Sequence, residues 1–459
     1  MSMNFRNTLR RACLRPTSFL LTLCATLTVQ AQEGKFEEFQ YTTPDGQARP
    51  YVVYTPKQAK PGEKRPLIVY LHGAVSSPVM RIEPLGAAKR SVMSKLADEG
   101  NYYVLYPYGK QGCTWFDQVG CDMIFGEMDK VLSSYPIAQE KIFLSGFSDG
   151  ASGTYYIAST RPEQFAGFIA LNGALPVAAN LGESPLYLDN FNHKPLYVVN
   201  TQSDMLYPAH MMGTLVEKMR QHHPDFIFRT PEGNHELSYF PSLQSEVKDF
   251  IDHNTRTTPT SLSFETADQK HNRYEWLTIL EVSDQKPKAD WHQVYTLKMT
   301  NDKASFGLMP NPKHRGPGLL VAGFGKKSCA KDMGVQVGDT ILKMGDVEIK
   351  GPMDSFGYAA SKRAGDSTSL TILRGGKEVL LTGTFPPPYQ YEVFAKHPVS
   401  GKVRAQIDEQ RLRIETSQVG ALAIDFDQLP LKNKKKVEVV LNGKSHWLKK
   451  PQGLVRFTP

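Results

Sequence analysis

Three side chains in this sequence are of the types that acyl transfer needs, and each sits in a polar loop just after an apolar run. Ser148 stands in Gly146-Phe147-Ser148-Asp149-Gly150, which follows Ile142-Phe143-Leu144. Asp204 closes Thr201-Gln202-Ser203-Asp204 after Leu196-Tyr197-Val198-Val199-Asn200, and His235 ends Pro231-Glu232-Gly233-Asn234-His235 after Phe226-Ile227-Phe228-Arg229. A serine hydroxyl is a weak nucleophile until a base takes its proton, and imidazole can do so near neutral pH. A carboxylate on the far side of the ring holds the useful tautomer and stabilises the imidazolium. Each residue also has an ordinary reading. GxSxG spells a common Gly/Ser turn, Asp204 can cap the helix opened by Pro208, and His193, His210, His222 and His223 compete with His235. His210 falls inside a helix pattern and His193 before a strand, so neither occupies a loop at the carboxyl end of a strand. The pair His222-His223 ends a helix before Pro224, with no Cys or acidic partner at ligand spacing, so no metal is expected.

The elements around these loops explain why their positions matter. Ser148 lies between a strand at 141–145 and a helix at 150–160, and a chain that turns so sharply crowds its own backbone unless glycines flank the turn. Such a turn lifts the hydroxyl clear of the sheet and aims the first N–H groups of the helix at any negative charge forming beside it. The run Pro66 to Leu71, apolar enough for a strand buried on both faces, ends in His72-Gly73-Ala74. The backbone N–H groups of Ala74 and Asp149 are therefore the expected oxyanion donors, each worth on the order of 3 kcal/mol of barrier. His72 is expected to shape that loop, and Asp149 to be a surface or supporting group. Two antiparallel strands at 36–56 precede the run. Helices at 85–98, 126–134, 208–221 and 241–254 then alternate with strands at 102–106, 167–171, 195–200 and 225–229. This alternation predicts an α/β class with a mostly parallel sheet covered on both faces, whose reactive groups gather past the carboxyl ends of the strands.

The order Ser, Asp, His is that of the α/β hydrolases. The segments YPYGKQGCTWFD (106–117), GFSDGASG, PEQFAGFIALNG (162–173), TQSDMLYP and NHELSYF resemble secreted α/β hydrolases related to polyhydroxybutyrate depolymerases and feruloyl or acetylxylan esterases. The resemblance covers roughly residues 36–255. It supports a triad of Ser148, Asp204 and His235 and implies that the loop with Trp115 and Phe116 helps line the substrate pocket; His72 and Gly73, beside the oxyanion position, are expected to touch the substrate as well. From the residues alone, Trp115 can equally be a core aromatic. Asp149 departs from the pattern, where relatives more often carry a small or amide residue, and this leaves the ester class open among phenolic, acetylated-polysaccharide and polyester substrates. No organic cofactor is implied.

Beyond the polar boundary at 254–260 the period changes to alternation, and strands dominate to the end apart from a helix pattern at 353–363. Residues 303–387 carry Ser305-Phe306-Gly307-Leu308, Gly318-Leu319-Leu320-Val321, Gly334-Val-Gln-Val-Gly338-Asp339 and Arg374-Gly375. They resemble a bacterial PDZ domain. Such a domain implies capture of an extended peptide or protein C-terminus at a sheet edge, here near Phe306, Gly307 and Leu308 or near Leu319 and Leu320. The alternative is a PDZ fold kept as a spacer. Residues 257–302 and 388–459 each have too few strands to bury a core, so the two are expected to form one small β-sandwich interrupted by the PDZ-like unit. Asn442-Gly443 between alternating runs marks a hairpin.

The 459 residues are too many for one core, and 40% hydrophobic with 22% charged residues is the balance of globular domains. Half of the formal net charge of +8 comes from Arg6, Arg10, Arg11 and Arg15. These belong to a basic start that runs into the apolar stretch Phe19 to Val29 and the small-residue site ending at Ala31, the layout of a signal peptide over 1–31. The charge is therefore no argument for nucleic acid, and no later segment is apolar enough to span a bilayer. The expected domain order is signal peptide 1–31, hydrolase domain 32–256, then the β-rich modules, in an exported (periplasmic or secreted) protein. In an oxidising compartment Cys113 and Cys121 are expected to form a disulfide, leaving Cys329 as a small apolar residue. The reading as a whole is an exported serine esterase with a PDZ-like accessory domain. Its alternatives are a serine peptidase on the same fold and an exported peptide-binding scaffold with a vestigial hydrolase domain.

Overall fold

A computed structural model describes residues 34–77, 82–192, 194–222, 225–325 and 327–459. The segment 1–31, expected to be a signal peptide, lies outside the described residues, as do His193 and His223. The first half is an eight-stranded sheet of β1 (Lys35–Thr42), β2 (Ala48–Thr55), β3 (Arg65–Leu71), β4 (Tyr103–Pro107), β5 (Ile137–Phe147), β6 (Gly167–Leu171), β7 (Leu196–Val199) and β8 (Phe226–Arg229). The spatial order is β1-β2-β4-β3-β5-β6-β7-β8. β1 and β2 form an antiparallel hairpin whose second strand runs antiparallel to β4, and from β4 to β8 all pairings are parallel. Buried runs such as Leu67 to Leu71 and Tyr103 to Tyr106 occupy the middle, which is why they lack alternation.

Helices α1 (Pro84–Arg90), α2 (Val92–Gly100), α3 (Gln118–Ser134), α4 (Asp149–Thr160), α5 (Leu175–Leu181), α6 (Ala209–His222) and α7 (Phe240–His253) cover the sheet. Two differ from expectation for reasons of capping. The single helix expected at 85–98 is broken at Ser91, whose extended backbone and hydroxyl, accepting from Met93 N–H at 3.2 Å, begin a new helix. α3 starts eight residues before its expected start because Asp117 caps it, accepting from Gly120 N–H at 2.8 Å. Hydrophobic cores lie on both faces of the sheet. One contains Trp115, Phe165, Phe168 and Leu215, the other Tyr70, Phe143, Tyr197 and Phe250.

The second half consists of strands apart from short helices. β9 (Ser261–Thr266), β10 (Arg273–Tyr274) and β11 (Leu277–Val282) come before residues 303–387, and β20 (Gly401–Asp408), β21 (Arg411–Ser417), β22 (Val419–Asp425), β23 (Lys436–Leu441), β24 (Lys444–Lys449) and β25 (Leu454–Phe457) come after. β9 pairs with β20 and β11 with β22, giving sheets ordered β24-β23-β21-β20-β9 and β10-β11-β22-β25. Leu262, Phe264, Trp276, Ile279, Val403, Ile414, Leu422 and Val437 fill one core between them. A two-stranded ribbon, β12 (Lys298–Asn301) with β19 (Tyr389–Glu392), bounds the intervening unit. That unit holds β13 (Leu308–Pro310), β14 (Leu319–Phe324), α8 (Cys329–Asp332), β15 (Thr340–Met344), β16 (Val347–Glu348), α9 (Pro352–Ala360), β17 (Ser367–Arg374) and β18 (Lys377–Thr384). Its sheet order is β13-β14-β15-β17-β18, with β16 paired to β15.

The sandwich is fastened to the hydrolase half by buried charge. Lys402 on β20 reaches Asp189, in the turn Leu188–Phe191, at 2.5 Å and Glu265 on β9 at 3.5 Å. Asp189 also accepts from Tyr295 and Ser263, and Glu265 from Ser400 and His292. Burial raises the pKa of Asp189, but the hydrogen bond and charge of Lys402 outweigh this and hold it below the usual carboxylate range. A carboxylate with a lowered folded-state pKa contributes stability above its unfolded value and loses it as pH falls through the folded one. Lys402→Met leaves two buried carboxylates without their cation and is expected to cost about 3–5 kcal/mol in chemical denaturation at pH 7. The difference between wild type and variant should shrink in acid, below about pH 4.

Candidate active site

The chain reverses from β5 into α4 at Ser148, which adopts φ 57° and ψ −120°. A left-handed φ on a residue with a Cβ costs on the order of 1–3 kcal/mol and persists only where packing enforces it. The enforcement here is the approach of α4 to the sheet. A Cβ on Gly146 would lie 2.2 Å from the Gly150 carbonyl carbon, and one on Gly150 would lie 2.0 Å from the Leu71 carbonyl oxygen. Only glycine at both places lets helix and strand meet.

Three loops past the carboxyl ends of β5, β7 and β8 bring Ser148, Asp204 and His235 together. The Ser148 hydroxyl donates to His235 Nε2 at 2.8 Å, and His235 Nδ1–H donates to Asp204 Oδ2 at 2.8 Å, with Oδ1 at 3.0 Å. Asp204 is buried, and its Oδ1 also accepts from the N–H groups of Leu206 at 2.7 Å and Tyr207 at 2.8 Å. Desolvation pushes its pKa up, but the His235 bond and charge, then Asn172 and the Tyr207 N–H, hold it below the usual range. The imidazole stands between Phe147, with ring centroids 5.0 Å apart, and Tyr207, at 5.6 Å edge-on.

Sequence reasoning passed over one residue here. Asn172, just past β6, has φ 52° and donates through Nδ2 to Asp204 Oδ2 at 2.8 Å and to Thr201 Oγ1 at 2.9 Å. Its Oδ1 accepts from the Tyr239 hydroxyl at 2.7 Å, so its orientation is set on every side. The signal available was its place at the carboxyl end of a strand next to the one that carries Ser148. Asp149, expected to be a surface or supporting group, accepts at Oδ2 from the Ser76 N–H at 3.0 Å. It thereby ties the loop after β3 to the start of α4. Asp149 heads α4, where its own N–H has no acceptor within the helix. Ala74 takes φ 58°, and a Cβ on Gly73 would lie 2.9 Å from Ser148 Cβ, so the 72–74 loop runs against the serine.

The aromatic residues take a different place from the expected one. Trp115 is fully buried and donates from Nε1 to the His72 carbonyl at 2.9 Å, while Phe116 packs edge-on against Tyr156. Both brace the 72–74 loop and α4 from behind, so the expectation that they line open substrate surface gives way to a supporting role. His72 is wedged between Tyr108 and Trp115, and desolvation lowers its pKa. The expected disulfide is absent: Cys113 and Cys121 are both free and buried. The Cys113 thiol faces Met123 Sδ at 3.6 Å and the Cys121 thiol faces the Trp115 carbonyl at 3.8 Å, because Cys121 is carried into α3 by the Asp117 cap. Burial pushes the Cys113 thiol up to about 12. Among the described residues no group of three or more His, Cys, Asp or Glu could hold a metal ion, and no helix is long and apolar enough to cross a membrane.

In the unit between β12 and β19 Gly307 has φ 64°, and Phe306 is buried against Phe385 and Tyr358. β14, which carries Leu319 and Leu320, has strands on both sides, whereas β13 lies at the sheet edge. Of the two expected peptide positions, only the one at Phe306-Gly307-Leu308 adjoins an edge. Phe306 and Leu319 themselves point into the core.

The contact of α4 with the sheet gives a direct test. Gly150→Ala is expected to lose at least about 4 kcal/mol of stability or fail to fold, since backbone atoms block the methyl. Gly213→Ala on α6 meets nothing within 4 Å and should be neutral or stabilising. Thermal melts of the two variants compare them.

Residues 56–255 match the family model described as phospholipase/carboxylesterase. A stretch of 186 residues, 40% of this chain, is 26% identical to the bifunctional acetylxylan esterase/xylanase XynS20E of Neocallimastix patriciarum and spans 26% of that protein. Among solved structures, a thermostable esterase is 20% identical with a TM-score of 0.39, over 48% of this chain and 63% of its own. A ferulic acid esterase is 16% identical with a TM-score of 0.40, over 48% of this chain and 98% of its own. Sheet order, helix placement and the matched segment agree: the N-terminal half of this chain has the α/β-hydrolase fold and matches the phospholipase/carboxylesterase family over residues 56–255.

Proposed function

We propose that this protein is a serine carboxylic-ester hydrolase working through an acyl-enzyme on Ser148. The observation that carries the reading is the unbroken relay from Ser148 Oγ through His235 to Asp204, both links at 2.8 Å. Ser148 Oγ attacks the ester carbonyl carbon as its proton passes to His235 Nε2. The oxyanion meets the N–H groups of Ala74 and Asp149. Collapse breaks the bond to the alcohol oxygen, which leaves with the proton from His235. Water then attacks the acyl-enzyme by the same route, releasing the acid and restoring Ser148. Asp204 stays ionised throughout, its carboxylate oriented by Asn172.

The relative named as an acetylxylan esterase supports acetyl esters on polysaccharide as one substrate class. Export through the segment at 1–31, and capture of a peptide C-terminus along β13 beside Gly307, belong to the same proposal. The open edge of β13 supports the second of these.

Turnover of 4-nitrophenyl acetate and labelling by a fluorophosphonate test the reading. Both should vanish in Ser148→Ala; turnover unchanged in that variant would sink it. Asn172→Leu removes the donor that orients Asp204 and strands the Tyr239 hydroxyl. It should lower kcat for the same ester about tenfold to a hundredfold, with KM changing less.

A further inference from the structure

The core of the hydrolase domain takes in residues from the second half of the chain. Leu297, Met299, Val393 and Phe394, from the ribbon β12/β19 and its flanks, are buried in the same core as Trp115 and Phe168, with Tyr207 packed against it. The chain leaving β12 then carries Lys303 to Tyr207. The ammonium lies 5.6 Å from the centroid of the Tyr207 ring, and that ring meets the His235 imidazole edge-on at 5.6 Å. One aromatic ring therefore separates a cation of the second module from the catalytic base.

The placement is held by backbone. Lys303 bridges Arg363 in antiparallel fashion, and the Ala364 N–H donates to the Asp302 carbonyl at 2.8 Å, fixing this stretch to the turn after α9. Among the described residues no carboxylate forms an ion pair with the Lys303 ammonium. Asp302 faces Arg363 at 4.0 Å, and Asp204 is committed to His235, Asn172 and two backbone N–H groups. Burial pushes the Lys303 amine down to about 8, against the opposing pull of Asp204 and Asp302. A half-buried cation without a counter-ion is unfavourable unless an anion arrives to pair with it. The cation–π contact with Tyr207 offsets only part of that cost.

We propose that Lys303 determines substrate choice by pairing with a carboxylate on the ester, a few bonds from the scissile carbonyl, so that the preferred substrates are esters of dicarboxylic or hydroxycarboxylic acids with one free acid group. The proposal rests on the serine-esterase reading above and deepens it by assigning a substrate class. It also gives the second module a part in the active site.

The test compares two pairs of esters that differ only in that charge. 4-Nitrophenyl hydrogen adipate and its methyl ester carry it on the acyl side; 4-acetoxybenzoate and methyl 4-acetoxybenzoate carry it on the alcohol side. The full chain should prefer the anionic member of at least one pair. The ratio of kcat/KM within that pair should fall about tenfold in Lys303→Met, fall further in Lys303→Glu and be kept in Lys303→Arg. In the wild type the ratio should shrink between about 0.02 M and about 0.5 M salt. A ratio near one in both pairs, or one unmoved by Lys303→Glu, overturns the proposal; should the variants fail to fold, a ratio insensitive to salt does so. Calorimetric binding of the anionic esters to Ser148→Ala, with and without Lys303→Glu, separates the two readings. Neutral esters turned over without charge discrimination leave the esterase and remove Lys303's role. Lys303-dependent binding without turnover does the reverse.

Discussion

The contact on which the site depends is backbone against backbone: the first turn of α4 lies on the ends of β3 and β5 with no room for a Cβ at Gly146 or Gly150. That contact forces Ser148 into its left-handed conformation, because the chain must leave the strand and enter the helix within one residue. The strain is local, but its consequences reach further. The serine oxygen projects beyond the sheet, the helix N-terminus faces the same space, and the 72–74 loop is drawn against the serine through Gly73 and the bond from Ser76 to Asp149. A hydroxyl, the 72–74 loop and an imidazole converge because two glycines permit an approach that any other residue would prevent.

Around that contact the molecule spends buried polar groups where orientation matters. Asn172 is the best example. Its amide joins Asp204 and Thr201, from the loop after β7, to Tyr239, from the loop before α7, and each bond fixes the next. A buried amide with all its partners in place is a rigid bracket, whereas the same group with one partner missing would destabilise the site. Trp115 does similar service with a single N–H, which holds the His72 carbonyl while the ring fills the core beneath. The β-sandwich is joined to the hydrolase domain on the same principle, through Lys402 between Asp189 and Glu265. That junction makes the relative position of the two halves specific, so a residue such as Lys303 can be placed one ring away from His235 from outside the domain.

Much of this was legible in the chain before any fold was seen. The unbroken apolar runs at β3 and β4 announce strands covered on both faces, and the polar loops behind β5, β7 and β8 mark where reactive groups gather. Helix boundaries were read less well. The cap at Ser91 and the early start at Asp117 depend on whether one side-chain oxygen finds a backbone N–H, and hydrophobic period carries no trace of that. The cysteines show the opposite error. Two thiols eight residues apart look like a short bridged loop, yet the helix begun at Asp117 turns Cys121 toward the Trp115 carbonyl and away from Cys113.

The sequence by itself determined what depends on near neighbours: the period of strands and helices, the Gly-Phe-Ser-Asp-Gly turn, and the order in which serine, aspartate and histidine follow their strands. These are settled by sterics and burial within a few residues. Tertiary structure alone decided that Asn172 would orient Asp204, that Asp149 would tether the loop after β3, and that Lys303, some seventy positions beyond the last of the triad, would stand over Tyr207. Such contacts join residues far apart in the chain. Their partners are chosen by how sheets and modules pack, and no local pattern encodes that choice.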